Sequence, residues 1–263
     1  MVVEFEVAMI GNQVRELSEK EMLSFFRSIP GSRRGSMGLM GGWAVNYLLK
    51  KRNVDHIGSR DIDVFYDPDR INYALVSELI RSNGFSPHST FRWAKYFDTR
   101  TRSPISEKES KERDYYDLVI LYLDIAAPSP DEDKSVLSHV LDEPLLSEVF
   151  AGKNEYWEFQ DVRILMPGVD VMVKMKIKSV LGRQDSYKRE KDLADLVAML
   201  RNIRGLWIEQ GGFQTRLRDD LRDSNTLALK ERLSLLSRDG TLVNAANALG
   251  LSYDTVSDIL GRL

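Results

Sequence analysis

The chain has 263 residues, of which 43% are hydrophobic, 29% charged and 9% aromatic, which fits one large or two modest globular domains and excludes a disordered or fibrous chain. Its 37 Lys+Arg against 40 Asp+Glu leave a formal charge of -3, so no whole-chain basic field gathers nucleic acid and any such contact has to be local. Zero cysteines exclude disulfides and thiolate metal sites, and three scattered histidines, His56, His88 and His139, argue against a zinc cluster.

A reducing cytoplasm suits this composition. The opening MVVEFEVAMI carries Glu4 and Glu6 and lacks the positive region and apolar core of a signal peptide, so it is expected to be the mature start. A helix is predicted over 18–29 with Ser18 as its N-cap, and Pro30 and Gly31 punctuate it. A short strand at 36–40 runs into Gly41 and Gly42, after which WAVNYLLKK reads as a helix. RDIDVFYD alternates polar and apolar residues as a half-buried strand does, and Asp67, Pro68 and Asp69 end it. A helix is expected at 71–83. Strands at 90–99 and 114–124 are expected to form a hairpin across the charged loop SEKESKER.

The apolar run Leu118 to Leu123 reads as a buried strand, because Asp124 stops it far short of the roughly 20 residues that span a bilayer. No membrane association is expected. After the loop APSPDED and a mixed region, Pro167 and Gly168 announce helices near 169–182, 189–203, 213–221 and 226–237. The fold class is α+β, a small mixed β-sheet with flanking helices followed by a helical region. Domain limits are expected at 1–166, 167–237 and 238–263.

The sharpest signal is MGLMGGWAVNYLLKKRNVDHIGSRDIDVFYD. Side chains alternate across a strand, so Asp61 and Asp63 project from one face while Ile62 and Val64 enter the core. Two neighbouring carboxylates repel unless a cation bridges them, and hard oxygen donors without His or Cys select Mg²⁺ or Mn²⁺. An isolated DxD more often marks two solvated acids. Here Gly41 and Gly42 lie upstream between a strand and a helix, where missing side chains let a phosphate reach backbone N–H groups. GxxxxGK[ST] and GxGxxG are both absent, so neither P-loop nor Rossmann binding is supported.

Gly41–Gly42–Trp43–Ala44–Val45 followed by Ser59–Arg60–Asp61–Ile62–Asp63–Val64–Phe65 resembles the nucleotidyltransferase fold superfamily. The GGWAV form is similar to the aminoglycoside nucleotidyltransferase branch. KIKSVLGR with KDLADL is similar to the AbiEii-type abortive-infection toxins. The resemblance covers roughly 36–203, and it implies transfer of a nucleoside monophosphate from an NTP such as ATP to RNA, a protein or a small molecule. It also implies Mg²⁺ or Mn²⁺, nucleotide contacts at Gly41, Gly42, Ser59, Arg60 and Arg183, and an antitoxin partner. A third carboxylate is required, either Asp117 or Asp124. These lie seven positions apart and face opposite sides of a regular strand; Asp117, opening the apolar run, matches the family position better. Two departures stand out: the long gap from Gly42 to Asp61, and Gly42 where many members carry serine.

In VMVKMKIKSVLGRQDSYKREKDLADLVAML, Lys176 and Arg183 share a helical stripe, and a cation there would offset pyrophosphate charge. The toxin resemblance favours Lys176 over Lys174 and Lys178. Asp192 and Asp195 share a face and are suited to orient Lys176 or Arg183; Asp195 is retained with Lys176 as a catalytic candidate. TLVNAANALGLSYDTVSDILGRL has the pattern of a helix-turn-helix. Asp254 and Asp258 on its second helix weigh against DNA reading, and a DNA-binding regulator with an inactive nucleotidyltransferase fold is the alternative.

Overall fold

The computed structural model describes residues 2–56, 58–89, 92–129, 140–159 and 161–263, with residues 2–11 as backbone only. His139 and parts of the expected 90–99 strand and of the APSPDED loop lie outside the described residues. The helices are α1 Val2–Ser28, α2 Gly41–Lys50, α3 Tyr73–Ser82, α4 Glu107–Ser110, α5 Leu146–Phe150, α6 Val169–Gly182, α7 Ser186–Asn202, α8 Ser224–Arg238, α9 Thr241–Ala248 and α10 Tyr253–Gly261. The strands are β1 Met37–Met40, β2 Ile62–Tyr66, β3 Ser86–Ser89, β4 Arg92–Asp98, β5 Pro104–Ile105, β6 Leu118–Ala127, β7 Leu141–Asp142, β8 Asn154–Phe159, β9 Val162–Pro167, β10 Trp207–Gln210 and β11 Phe213–Leu217. Among the described residues, no helix is long and apolar enough to cross a membrane.

The chain divides into two compact units, Met1–Ala44 with Ile57–Pro167, and Val45–His56 with Gly168–Leu263. The first is built on a mixed sheet in the order β3-β4-β6-β2-β1-β9-β8, with β5 beside β4 and β7 beside β6. β2 runs antiparallel to β1 and parallel to β6, so the acidic strand lies between two well-buried neighbours. On one sheet face, Val14 and Leu17 of α1 pack with Phe97 and Leu121, each side chain of this size adding about 1.5–3 kcal/mol when fully buried. Lys95 on that face pairs with Glu21 of α1 at 2.6 Å. On the other face Phe65 meets Phe150 of α5 edge-on at 5.6 Å between ring centroids. Glycine at 38 permits this, because a Cβ there would overlap the Phe65 ring and stand 2.6 Å from the Leu165 carbonyl oxygen.

In the first unit two expectations are corrected. Ser18 does not cap a helix: α1 begins earlier, and the fully buried Ser18 hydroxyl accepts a hydrogen bond from the Trp43 indole at 3.0 Å. A polar residue followed by an apolar face looks like a helix start, but here it is an interior position whose hydroxyl has a tertiary partner. The SEKESKER loop contains α4, closed by a capping box between Ser106 and Glu109.

In the second unit α6 packs on α7 and α8, and α9 and α10 pack on α7 and α8. Leu242, Ala245, Ala246, Val256, Ile259 and Leu260 are buried there. The helix expected at 213–221 is instead the β10–β11 hairpin with a 3-10 turn at Asp219–Leu221. Gly211 and Gly212, both with φ in the left-handed region, supply the two-residue turn that right-twisted strands require.

Candidate functional site

The acidic strand owes its position to register. Asp63 pairs with Met40 of β1 on one side and with Asp124 of β6 on the other, and Asp124 in turn pairs with Arg92 of β4. Directly paired residues share a face, so Met40, Asp63, Asp124 and Arg92 form one row across four strands. Asp61, two residues before Asp63, points the same way. Ile62 and Val64 are buried on the opposite face, as alternation requires.

Gly41 opens α2 with φ 67°, which favours glycine. A Cβ at this position would overlap the Asp63 carboxylate, reaching 2.6 Å from its Cγ. The bare main chain and the acidic strand therefore share one spot. Gly42 is buried in the same first turn. Of the two residues before Asp61, Ser59 is buried and Arg60 is exposed.

The structure separates the two alternatives for the third acid. Asp124 is 6% exposed and is the direct register partner of Asp63. Asp117 ends a 3-10 turn before β6 and faces Arg100 at 3.3 Å, with its side chain 40% exposed. Seven residues of strand put it roughly 20 Å from Asp124 along the sheet, so it does not join the acidic row. An acid at the start of an apolar run looks like a strand-entry acid, but the parallel pairing of β2 and β6 brings the far end of β6, with Asp124, to Asp63.

Arg92 completes this face. Its Nε donates to Asp124 Oδ1 at 2.8 Å and its Nη2 to Asp124 Oδ2 at 2.6 Å, while Nη2 lies 3.8 Å from Asp61. The guanidinium also stacks 4.6 Å from the Tyr122 ring centroid. The Asp124 hydrogen bond holds the Arg92 pKa above the ordinary arginine value against the opposing effect of burial, with Asp61 and Asp63 adding to the rise. The sequence signal for Arg92 is slight, a basic residue at the start of a strand.

The second unit carries its own buried polar cluster. Lys176 of α6, 5% exposed, donates to Asp192 Oδ1 and Asp195 Oδ2, both at 2.6 Å. Arg183 Nε reaches Asp192 Oδ2 at 3.1 Å, and His56 Nε2 donates to Asp195 Oδ1 at 2.8 Å. Burial alone would lower the Lys176 pKa, but Asp195 and Asp192 outweigh it and hold the ammonium above the ordinary lysine value. Burial would likewise raise the Asp195 carboxyl; Lys176, His56 and Lys191 outweigh it and hold Asp195 well below the usual carboxylate range. The i,i+3 spacing on α7 pointed to Asp192 and Asp195 as a pair. Nothing in the sequence pointed to His56, whose partner is 139 residues away.

Among solved structures, the chain is similar to an antigenic nucleotidyltransferase-like protein from Paracoccidioides brasiliensis. The TM-score is 0.40 at 16% sequence identity, over 81% of this chain and 84% of that one. No family model matches the chain, and no curated protein matches it.

Hard carboxylate oxygens suit Mg²⁺ or Mn²⁺. Among the described residues, no three His, Asp or Glu side chains gather as a ready-made metal cage. Mg²⁺ is usually held by one or two carboxylates together with substrate phosphates and water. Asp61 and Asp63 would supply such a pair.

Proposed function

We propose that this chain is a nucleotidyltransferase that moves a nucleoside monophosphate from an NTP to an acceptor hydroxyl and releases pyrophosphate. The observation that carries the reading is the contact between position 41 and Asp63. The N-terminus of a helix, whose first N–H groups suit phosphate, and a carboxylate suited to a divalent ion meet at one place, the two things a triphosphate needs together. Asp61 and Asp63 would hold Mg²⁺ or Mn²⁺. When bound, the ion lowers the pKa of the acceptor hydroxyl and offsets triphosphate charge.

The chain's own groups have separate tasks in this reading. Gly41 and Gly42 let the triphosphate approach the start of α2, and Asp124 supplies the third carboxylate. The resemblance extends to Ser59 and Arg60 as nucleotide neighbours and to Lys176, Asp195 and Arg183 as cationic and orienting support. The AbiEii-type likeness favours RNA or protein over a small molecule as acceptor and a role in a toxin–antitoxin pair. We do not assign DNA reading to the last two helices, since α10 carries Asp254 and Asp258 and no Lys or Arg, while phosphate contact needs positive charge.

The test is incubation with each α-labelled NTP, Mg²⁺ and cellular RNA, protein and small-molecule fractions. We expect one fraction to acquire label and the Asp61→Ala/Asp63→Ala variant to give none while remaining folded. Labelling by the double variant at the parent rate would end the reading. The third acid has its own comparison. Asp124→Asn is expected to lower the transfer rate by about a hundredfold or more, whereas Asp117→Asn stays within about threefold of the parent. The reverse order would restore Asp117.

A further inference from the structure

A cation already belongs to the acidic face. Arg92 grips both oxygens of Asp124 and stands 3.8 Å from Asp61, so one guanidinium faces a carboxylate proposed to hold metal and the carboxylate beside Asp63. A divalent ion taking either Asp124 oxygen would meet the guanidinium that already donates to both, and the two cations would repel one another. The side chain is suited to exchange. Arg92 is the first residue of β4 and its side chain is 19% exposed, whereas Asp124 is buried at 8%. The guanidinium fork matches a phosphate as well as a carboxylate, and the Tyr122 ring offers a surface over which it can turn.

We propose that Arg92 couples metal loading to triphosphate binding: it competes with a divalent cation for Asp124, and it releases Asp124 when the phosphates of the incoming nucleotide take its guanidinium. Metal alone would then bind weakly, and metal with a triphosphate would bind well, which disfavours loading the carboxylates without substrate. This rests on the nucleotidyltransferase reading for its purpose, and metal binding tests it apart from activity.

The experiment is titration calorimetry on the full chain with Mn²⁺ alone and with Mn²⁺ plus inorganic tripolyphosphate, a probe that requires no knowledge of the base. Arg92→Ala is expected to bind Mn²⁺ alone about tenfold more tightly than the parent and manganese tripolyphosphate about tenfold more weakly, in line with one charge-assisted hydrogen-bonded contact. Arg92→Lys, which keeps the charge and loses the fork, should fall between them and serves if the alanine variant does not fold. Adding Asp124→Asn to Arg92→Ala should remove the gain for Mn²⁺. If Arg92→Ala folds and binds Mn²⁺ no better than the parent, Arg92 is a structural counter-ion and the proposal is overturned. A different failure marks the underlying reading: if Asp63→Ala leaves every Mn²⁺ affinity unchanged, these carboxylates are not the ligands.

Discussion

Gly41→Ala is expected to destabilise the first unit by about 2–5 kcal/mol and to abolish nucleotidyl transfer. An L-residue held in the left-handed region costs about 1–2 kcal/mol, and position 41 has φ 67°. The added methyl group would also overlap the Asp63 carboxylate, and crowding of that kind costs about 1–3 kcal/mol more. The second contribution depends on Asp63 and the first does not. Gly41→Ala combined with Asp63→Ala should therefore recover part of the crowding, the Cβ of residue 63 at 3.0 Å staying in place, giving a coupling of about 1–2 kcal/mol in a double-mutant cycle read by urea unfolding. Asp63→Ala alone removes both a repelling neighbour of Asp61 and a carboxylate that attracts Arg92, so it should change stability by less than about 1 kcal/mol without metal, and it should lower transfer by about a thousandfold. A coupling of zero would mean that the carboxylate does not lie against the start of α2, and the proposed function would lose its main support.

Removing the buried cation of the second unit should have an effect of similar size by a different route. Lys176→Met is expected to cost about 3–5 kcal/mol, because Asp192 and Asp195 are buried and lose the ammonium they share. Replacing the triad, Lys176→Met with Asp192→Leu and Asp195→Leu, should recover part of that loss, since apolar packing removes three of the buried charges, while the buried His56 loses its acceptor at a cost of about 1–3 kcal/mol. A stable but inactive triple variant would separate the chemical role of these residues from their structural one.

The pH dependence has a definite sign. Asp195 is held below the usual carboxylate range, so its stabilising contribution is complete above about pH 4 and is lost as pH falls through its folded-state value. Lys176 is held above its ordinary value, so its contribution is complete below about pH 10 and is lost only at more alkaline pH. Between neutral pH and pH 3 the parent should lose more stability than the triple variant in chemical denaturation. Equal losses would show that the triad does not govern the acid limb.

Local pattern made much of the molecule legible. The alternation in RDIDVFYD put Asp61 and Asp63 on one face opposite buried Ile62 and Val64, because a strand's side-chain period is two wherever the strand lies. The Gly41–Gly42 break, the helix that follows it and the α6 and α7 helices were visible for the same reason: turn chemistry and helical period act over a few residues. The Gly211–Gly212 hairpin was equally local and was misread as helix, although a two-residue glycine turn between short alternating runs is the signal for such a hairpin.

By itself the sequence determined which residues could share a strand face or a helix stripe, because those relations span two to four positions. Only the tertiary structure decided which of them meet. Asp124 rather than Asp117 lies beside Asp63 because β6 pairs with β2 in one parallel register, and Arg92 reaches Asp124 because β4 pairs antiparallel on its other side. His56 finds Asp195 across 139 residues. Register and long-range partnership are set by how whole faces bury against one another, a property of the assembled chain that no short window of residues contains.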